Sequence, residues 1–162
     1  LTYMDDAGLL RARAELFGSV FIIVQHLTRR TDRELADLGL TTRQWLLLAV
    51  LMNAFPDRSP SLSEAAEKYG SSRQNIKQIA LGLEARGFVH LVTDPDDART
   101  TRIEITERVR LFDQPEMVER SATMLEDAFA GLTPTETSDL RDLAQRWLGG
   151  LTIPTAREEA QT

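Results

Sequence analysis

Residues 61–106 read SLSEAAEKYGSSRQNIKQIALGLEARGFVHLVTDPDDARTTRIEIT, and the fold follows from how this stretch divides. Ser61 and Glu64 have the Ser-x-x-Glu spacing of a capping box, so a short helix is expected to begin after Ser61. Gly70 offers that helix a left-handed end, and Ser72 is placed to cap the next helix with its hydroxyl. The second helix should run to about Arg86 and stop at Gly87. Two short helices joined at Gly70-Ser71 make a helix-turn-helix. Residues 88–93 then read as a strand and Asp94-Pro95-Asp96-Asp97 as a turn. Residues 102–106 form the return strand, with Ile103 and Ile105 on one face and Arg102 and Glu104 on the other.

The second helix has two unlike faces. Ile76, Ile79, Ala80 and Leu83 share one side at helical spacing and belong in a core. Arg73, Gln74, Asn75, Lys77 and Gln78 fill the rest of its first two turns. These side chains can pair with base edges in a major groove: Arg with guanine, Gln and Asn with adenine, Lys with guanine or phosphate. The plainer alternative is a solvated surface helix. Against it, Glu84 is the only acid between Ser72 and Ala85, whereas a solvated face normally mixes signs. The hairpin places Arg99 near its tip, from which a cation can enter a narrow minor groove. Asp97 is expected to orient that guanidinium, and Arg102 joins the outward set. A loop ion pair with no partner is the alternative here.

Together these residues resemble the MarR family of winged-helix transcriptional regulators. The resemblance rests on Leu40-Thr41-Thr42-Arg43-Gln44-Trp45, Gly70-Ser71-Ser72-Arg73, Leu83-Glu84-Ala85-Arg86-Gly87, and above all Asp97-Ala98-Arg99 followed by Ile105-Thr106-Glu107. It implies a mainly α fold with a small β-wing: a winged helix-turn-helix lobe over 40–106 and dimerisation helices over 8–38 and 107–151, in one domain. It also implies double-stranded DNA as partner, with Ser72 to Gln78 in the major groove and Arg99, supported by Asp97, in the minor groove. A pocket between the dimerisation helices and the DNA-binding lobe, usually for aromatic or phenolic effectors, is implied as well. His26, Arg30, Trp45 and Phe112 are its candidates here, each with a structural role as the alternative.

Bulk properties set limits on this. At 162 residues the chain is long enough for one real core. The absence of cysteine excludes disulfides, thiolate catalysis and thiol-based peroxide sensing. A net charge of -6 and a pI near 5.0 appear to argue against nucleic acid. Their distribution answers this: residues 111–162 hold ten acids and four bases, leaving 15 of each elsewhere. Only the local field over a docking face steers a ligand. Residues 45–52, the longest apolar run, are too short to span a bilayer. No signal-peptide pattern opens the chain, so a cytoplasmic location is the default. The residues before Met4 read as remnants of expression.

Elsewhere the pattern predicts one long helix from about Leu9 to Leu38, ended by Gly39, with an apolar surface wider than one face. Leu9, Leu16, Val20, Ile23 and Leu27 make one stripe, and Leu10, Phe17, Phe21 and Val24 widen it. Thr41 and Gln44 form a second capping box, opening a core helix of Trp45, Leu46, Leu48, Val50 and Leu51. After the wing a helix resumes from Thr106, and Pro115 predicts a kink or break between Leu111 and Glu116. A helix follows to about Ala130, with Met117, Ser121, Met124, Leu125 and Ala128 at helical spacing. Thr133-Pro134-Thr135-Glu136 starts the last one, whose buried face is expected to be Leu140, Leu143, Ala144, Trp147 and Leu148. Gly149-Gly150 should end it, ahead of a loose acidic tail over 154–162. The terminal helices carry more apolar surface than a winged helix can cover, which predicts a homodimer; one larger monomeric core is the alternative.

Nothing calls for catalysis, a metal or a cofactor. The two histidines, His26 and His90, sit in no ligand cluster, and no phosphate loop or nucleophile elbow occurs. His26 reads as a core histidine and His90 as solvent-facing or packed within the wing. Gly82 weakens its helix, which suggests that a phosphate backbone or a neighbouring loop approaches there. The competing functional reading is a winged-helix module for protein–protein assembly, using Leu81 and the polar face.

Overall fold

A computed structural model of the chain describes residues 6–152. The residues before Met4 and the expected tail over 154–162 lie outside the described residues. Helix α1 spans Asp6–Glu34, α2 Thr42–Ala54, α3 Leu62–Tyr69 and α4 Arg73–Glu84. Strands β1 (Val89–Thr93) and β2 (Thr101–Ile105) follow, then a 3-10 segment Glu107–Asp113, α5 (Pro115–Phe129) and α6 (Pro134–Thr152).

The local signals act as their chemistry requires. Both capping boxes form: the Thr41 and Ser61 hydroxyls accept from the N–H of Gln44 and Glu64, whose side chains accept from the cap N–H in return. The Ser72 hydroxyl accepts the Asn75 N–H at 3.2 Å. Gly70, at φ 75°, takes the left-handed turn between α3 and α4 that a side chain would strain. Thr133 and Glu136 make the reciprocal pair that opens α6.

Two boundaries differ from expectation, and at a third, Pro115, the structure decides for a break over a kink. The first helix does not run on to Leu38: it stops at Glu34 and continues as a 3-10 turn over Ala36–Leu38. Leu35 and Leu40 turn inward and are buried, which an unbroken helix would not allow. Pro115 breaks the chain completely. Gln114 adopts an extended conformation before it, and α5 begins afresh with proline in its first turn, where its missing N–H costs nothing. Gly149-Gly150 does not end α6, which runs to Thr152, because neither glycine adopts positive φ.

One core holds α2, α3, α4 and the wing together. Leu47, Leu48, Leu51, Leu62, Ile76, Leu83, Phe88, Val89 and Ile103 are at most 2% exposed. Burial of a side chain of this size contributes roughly 1.5–3 kcal/mol. The face α2 buries is only partly the one expected: Leu48 and Leu51 are buried as the pattern suggested. Its stripe is Gln44, Leu47, Leu48 and Leu51, while Trp45 and Leu46 are exposed. An uninterrupted apolar run has no polar face to set its orientation, so the partners α3 and α4 set it.

The wing is a two-stranded antiparallel sheet in the register Val89↔Ile105, Leu91↔Ile103 and Thr93↔Thr101. Ile103 is buried, whereas Ile105 on the same face is at its exposed end. Pro60 and Ser61 extend the sheet: the Ile103 N–H donates to Pro60 O at 2.9 Å and Ser61 bridges Arg102. Outside this lobe the helices are bare. No residue of α1 or α6 is buried, and only Met117 of α5 is.

Candidate nucleic-acid interface

Burial of Ile76, Ile79, Ala80 and Leu83 fixes the rotation of α4, and with it what points outward. Arg73, Gln74, Lys77 and Gln78 are exposed on that outward side. Asn75 is half-buried, and its amide donates to the Ser71 hydroxyl at 2.8 Å, so part of its hydrogen-bonding capacity is spent within the turn. The one acid of the helix, Glu84, is turned away. Its carboxylate accepts the Leu91 N–H at 2.8 Å and ties α4 to β1. The outward face is therefore guanidinium, ammonium and amide, with no carboxylate among them.

The wing tip is built by three aspartates. Asp94 is buried and accepts from the N–H of Asp96 and Asp97 at 2.8 and 3.1 Å. Those bonds and Arg102 hold its carboxyl below the usual aspartate range. Asp97 is depressed as well, first by the Thr100 hydroxyl at 2.7 Å and then by the Arg99 N–H at 3.0 Å. Asp97 thus does not orient the Arg99 guanidinium, as the sequence suggested; it fixes the backbone on which Arg99 stands. Arg99 is exposed and, among the described residues, makes no ion pair.

Arg102 stands differently from the other cations. Its guanidinium pairs with Asp94 and donates to Ser59 O at 2.9 Å, with Glu64 at 3.9 Å. It locks β2 to the loop before α3, which leaves it little to offer a groove. Gly82 also has a different role from the one expected. A Cβ there would lie 2.4 Å from Gln44 Nε2, so the close neighbour is α2 of the same chain, not a phosphate backbone.

Arg73 and Arg99, 26 positions apart, line one hollow of about 210 Å³ together with Ser61, Ser63, Thr100 and Thr101. The pairing of residues 60–61 with β2 creates this hollow. Nothing in the linear spacing pointed to the hydroxyls.

A second cavity, of about 780 Å³, lies between α1 and α5. His26 and Arg30 line it, beside Arg29 and Arg33, and Glu116, Glu119 and Asp127 face them from α5; no residue of 40–106 takes part, so it is not a pocket against the DNA-binding lobe. Trp45 and Phe112 do not line it. Phe112 stacks on Phe88 at 5.9 Å between centroids, and Trp45 lies on the exposed side of α2. His26 is exposed, so it is not a core histidine; His90 is exposed on the wing. Arg120 crosses from α5 to the end of α1, donating to Glu34 O at 2.6 Å and Asp37 Oδ2 at 2.8 Å. That bond holds the Asp37 carboxyl below the usual range.

Residues 38–100 match the model of the MarR family. An uncharacterised protein of Mycobacterium tuberculosis is 27% identical over 138 residues, covering 85% of this chain and 93% of its own. A crystal structure of MarR superposes with a TM-score of 0.72 at 22% identity, covering 86% of this chain and 98% of that one. Bordetella bronchiseptica BpsR, whose DNA binding is described as regulated by 6-hydroxynicotinic acid, has a TM-score of 0.68 at 20% identity. It covers 82% of this chain and 98% of its own. Residues 38–100, the helix-turn-helix with most of its wing, thus match the MarR family model, and the chain as a whole has the fold of MarR.

Proposed function

We propose that the chain is a cytoplasmic, sequence-specific DNA-binding regulator that acts as a homodimer on a pseudo-palindromic operator, most simply as a ligand-responsive repressor. The observation that carries this is the outward face of α4. Arg73, Gln74, Lys77 and Gln78 are exposed, and the only acid of the helix is committed to the wing. Arg and amide side chains in this arrangement match the donor and acceptor patterns of a major groove. Ser72 and the start of α4 would meet a phosphate, and Arg99 would approach the neighbouring groove edge. Two copies related by a two-fold axis would place their α4 helices on half-sites one DNA turn, roughly 34 Å, apart.

Regulation would act through the α1–α5 cavity. Its lining is charged on both walls, with Met124 as the apolar member. A small aromatic acid suits it, the carboxylate on the arginines of α1, in keeping with the hydroxynicotinic acid named for BpsR. Such a ligand would shift the separation of the two α4 helices and so weaken operator binding.

The test is a mobility shift of the DNA flanking the chain's own gene, run at two salt concentrations with wild type and Lys77→Ala. Sequence-dependent retardation, weakened by salt and by the substitution, is expected. No shift at either salt concentration would favour the assembly module, with Leu81, 40% exposed, in a protein contact.

A further inference from the structure

We propose that the hollow between Arg73 and Arg99 is a single phosphate seat, closed from two sides by the reading helix and the wing. The inference rests on the DNA-binding reading above and adds to it the partner group of one site. Two arginines from different elements face the same space of about 210 Å³, and no acid lines it. Three carboxylates of the wing and its base are committed elsewhere. Glu64 is held by the Ser61 N–H and Arg58, Asp94 by Arg102 and the turn, Asp97 by Thr100 and the Arg99 N–H. Among the described residues neither Arg73 nor Arg99 makes an ion pair.

Two arginines that line one hollow with no acid among its walls give it a positive field, and an anion placed there is attracted by both. A phosphate oxygen pair matches the planar fork of each guanidinium. The hydroxyls of Ser63 and Thr101 line the same space. Those of Ser61 and Thr100 are already engaged, with the Glu64 N–H and Asp97. The hollow has room for one phosphate and several waters, at about 30 Å³ per water. Its position, where α3, α4 and the wing meet, makes the two arginines act on one group. Arg99 then serves as half of a backbone clamp, and its contribution does not depend on the base pairs beside it.

The test uses the full chain and the duplex it enriches from random-sequence DNA. Affinity is measured against salt for wild type, Arg73→Ala, Arg99→Ala and the double variant. Each phosphate neutralised contributes a slope of about -0.9 in log affinity against log salt. One shared seat holds one phosphate, so the double variant should flatten the slope by about 1 in total and each single variant by less. Each variant should lose affinity by the same factor on every sequence tested, the double variant by the most. Losses that multiply in the double variant, with a slope change near 2, would overturn the seat while leaving DNA binding intact. A wild type without any salt-dependent, sequence-specific binding would overturn both.

Inorganic phosphate, compared with chloride at equal ionic strength, distinguishes a free anion from the DNA backbone. Stronger inhibition of wild type than of the double variant is expected. Equal inhibition would contradict the seat. Both arginines are exposed, so the melting midpoints should match wild type. The Arg→Lys pair, which keeps charge but not the fork, should recover the salt slope and not the full affinity.

Discussion

Gly82 shows how a residue's role is decided by a neighbour far away in sequence. In an exposed helix, replacing glycine by alanine stabilises by about 1 kcal/mol. Here the added methyl would meet Gln44 Nε2 at 2.4 Å, and the same side chain's Oε1 is tied to the Thr41 N–H in the capping box of α2. Gly82→Ala should therefore lower the melting midpoint, and the further change Gln44→Ala in that background should recover part of the loss. A rise with Gly82→Ala alone would show that Gln44 moves aside freely. The sequence marked Gly82 as unusual for a helix but could not reveal Gln44, 38 positions earlier. Arg102 teaches the same lesson. Strand alternation correctly placed it outward, yet its partners, Asp94 and the Ser59 carbonyl, are set by the fold. Arg102→Ala should lower thermal stability clearly, and Arg99→Ala should leave it unchanged.

At the scale of elements, what could be read was local. A capping box closes within four residues, so Thr41, Ser61 and Thr133 announced their helices without reference to the rest of the chain. The break at Pro115 was equally local, because proline excludes the helical conformation from the residue before it. What could not be read depended on contacts across the fold: which face α2 buries, and why the first helix stops before Leu35. The wing adds a testable dependence on pH. Its Asp94 and Asp97 carboxyls are held below the ordinary value of about 3.9 by hydrogen bonds that need the charged form. Their stabilising effect is complete above that value and is lost as pH falls through the lower folded values. The amide resonances of residues 94–100 should keep their positions from pH 7 to about 4 and move only below it. Movement between pH 7 and 5 would contradict the aspartate network.

The whole molecule is defined by what a single chain leaves uncovered. Phe17 and Phe21 stack edge to face at 5.0 Å on α1 yet remain about 60% exposed, and Leu143, Leu148 and Leu151 on α6 are 55–69% exposed. Apolar side chains left bare in this number on two helices mark an interaction face. The proposed occupant is a second copy, which would also set the spacing of the two α4 helices. Phe21→Glu should convert a dimer in sedimentation experiments to monomer and abolish tight operator binding together. A monomeric wild type would remove the two-fold geometry from the account. The sequence showed the excess of apolar residues, but not that α1 and α5 would face each other with charges on both walls of a cavity.

The most direct measurement is selection of binding sites from random-sequence duplexes by the purified full chain, followed by sequencing of the enriched pool. The account predicts an inverted repeat whose half-site centres lie about 10 base pairs apart, contacted in successive major grooves by α4 of two protomers. A pool without enrichment, or one holding a single unrepeated half-site, would contradict it.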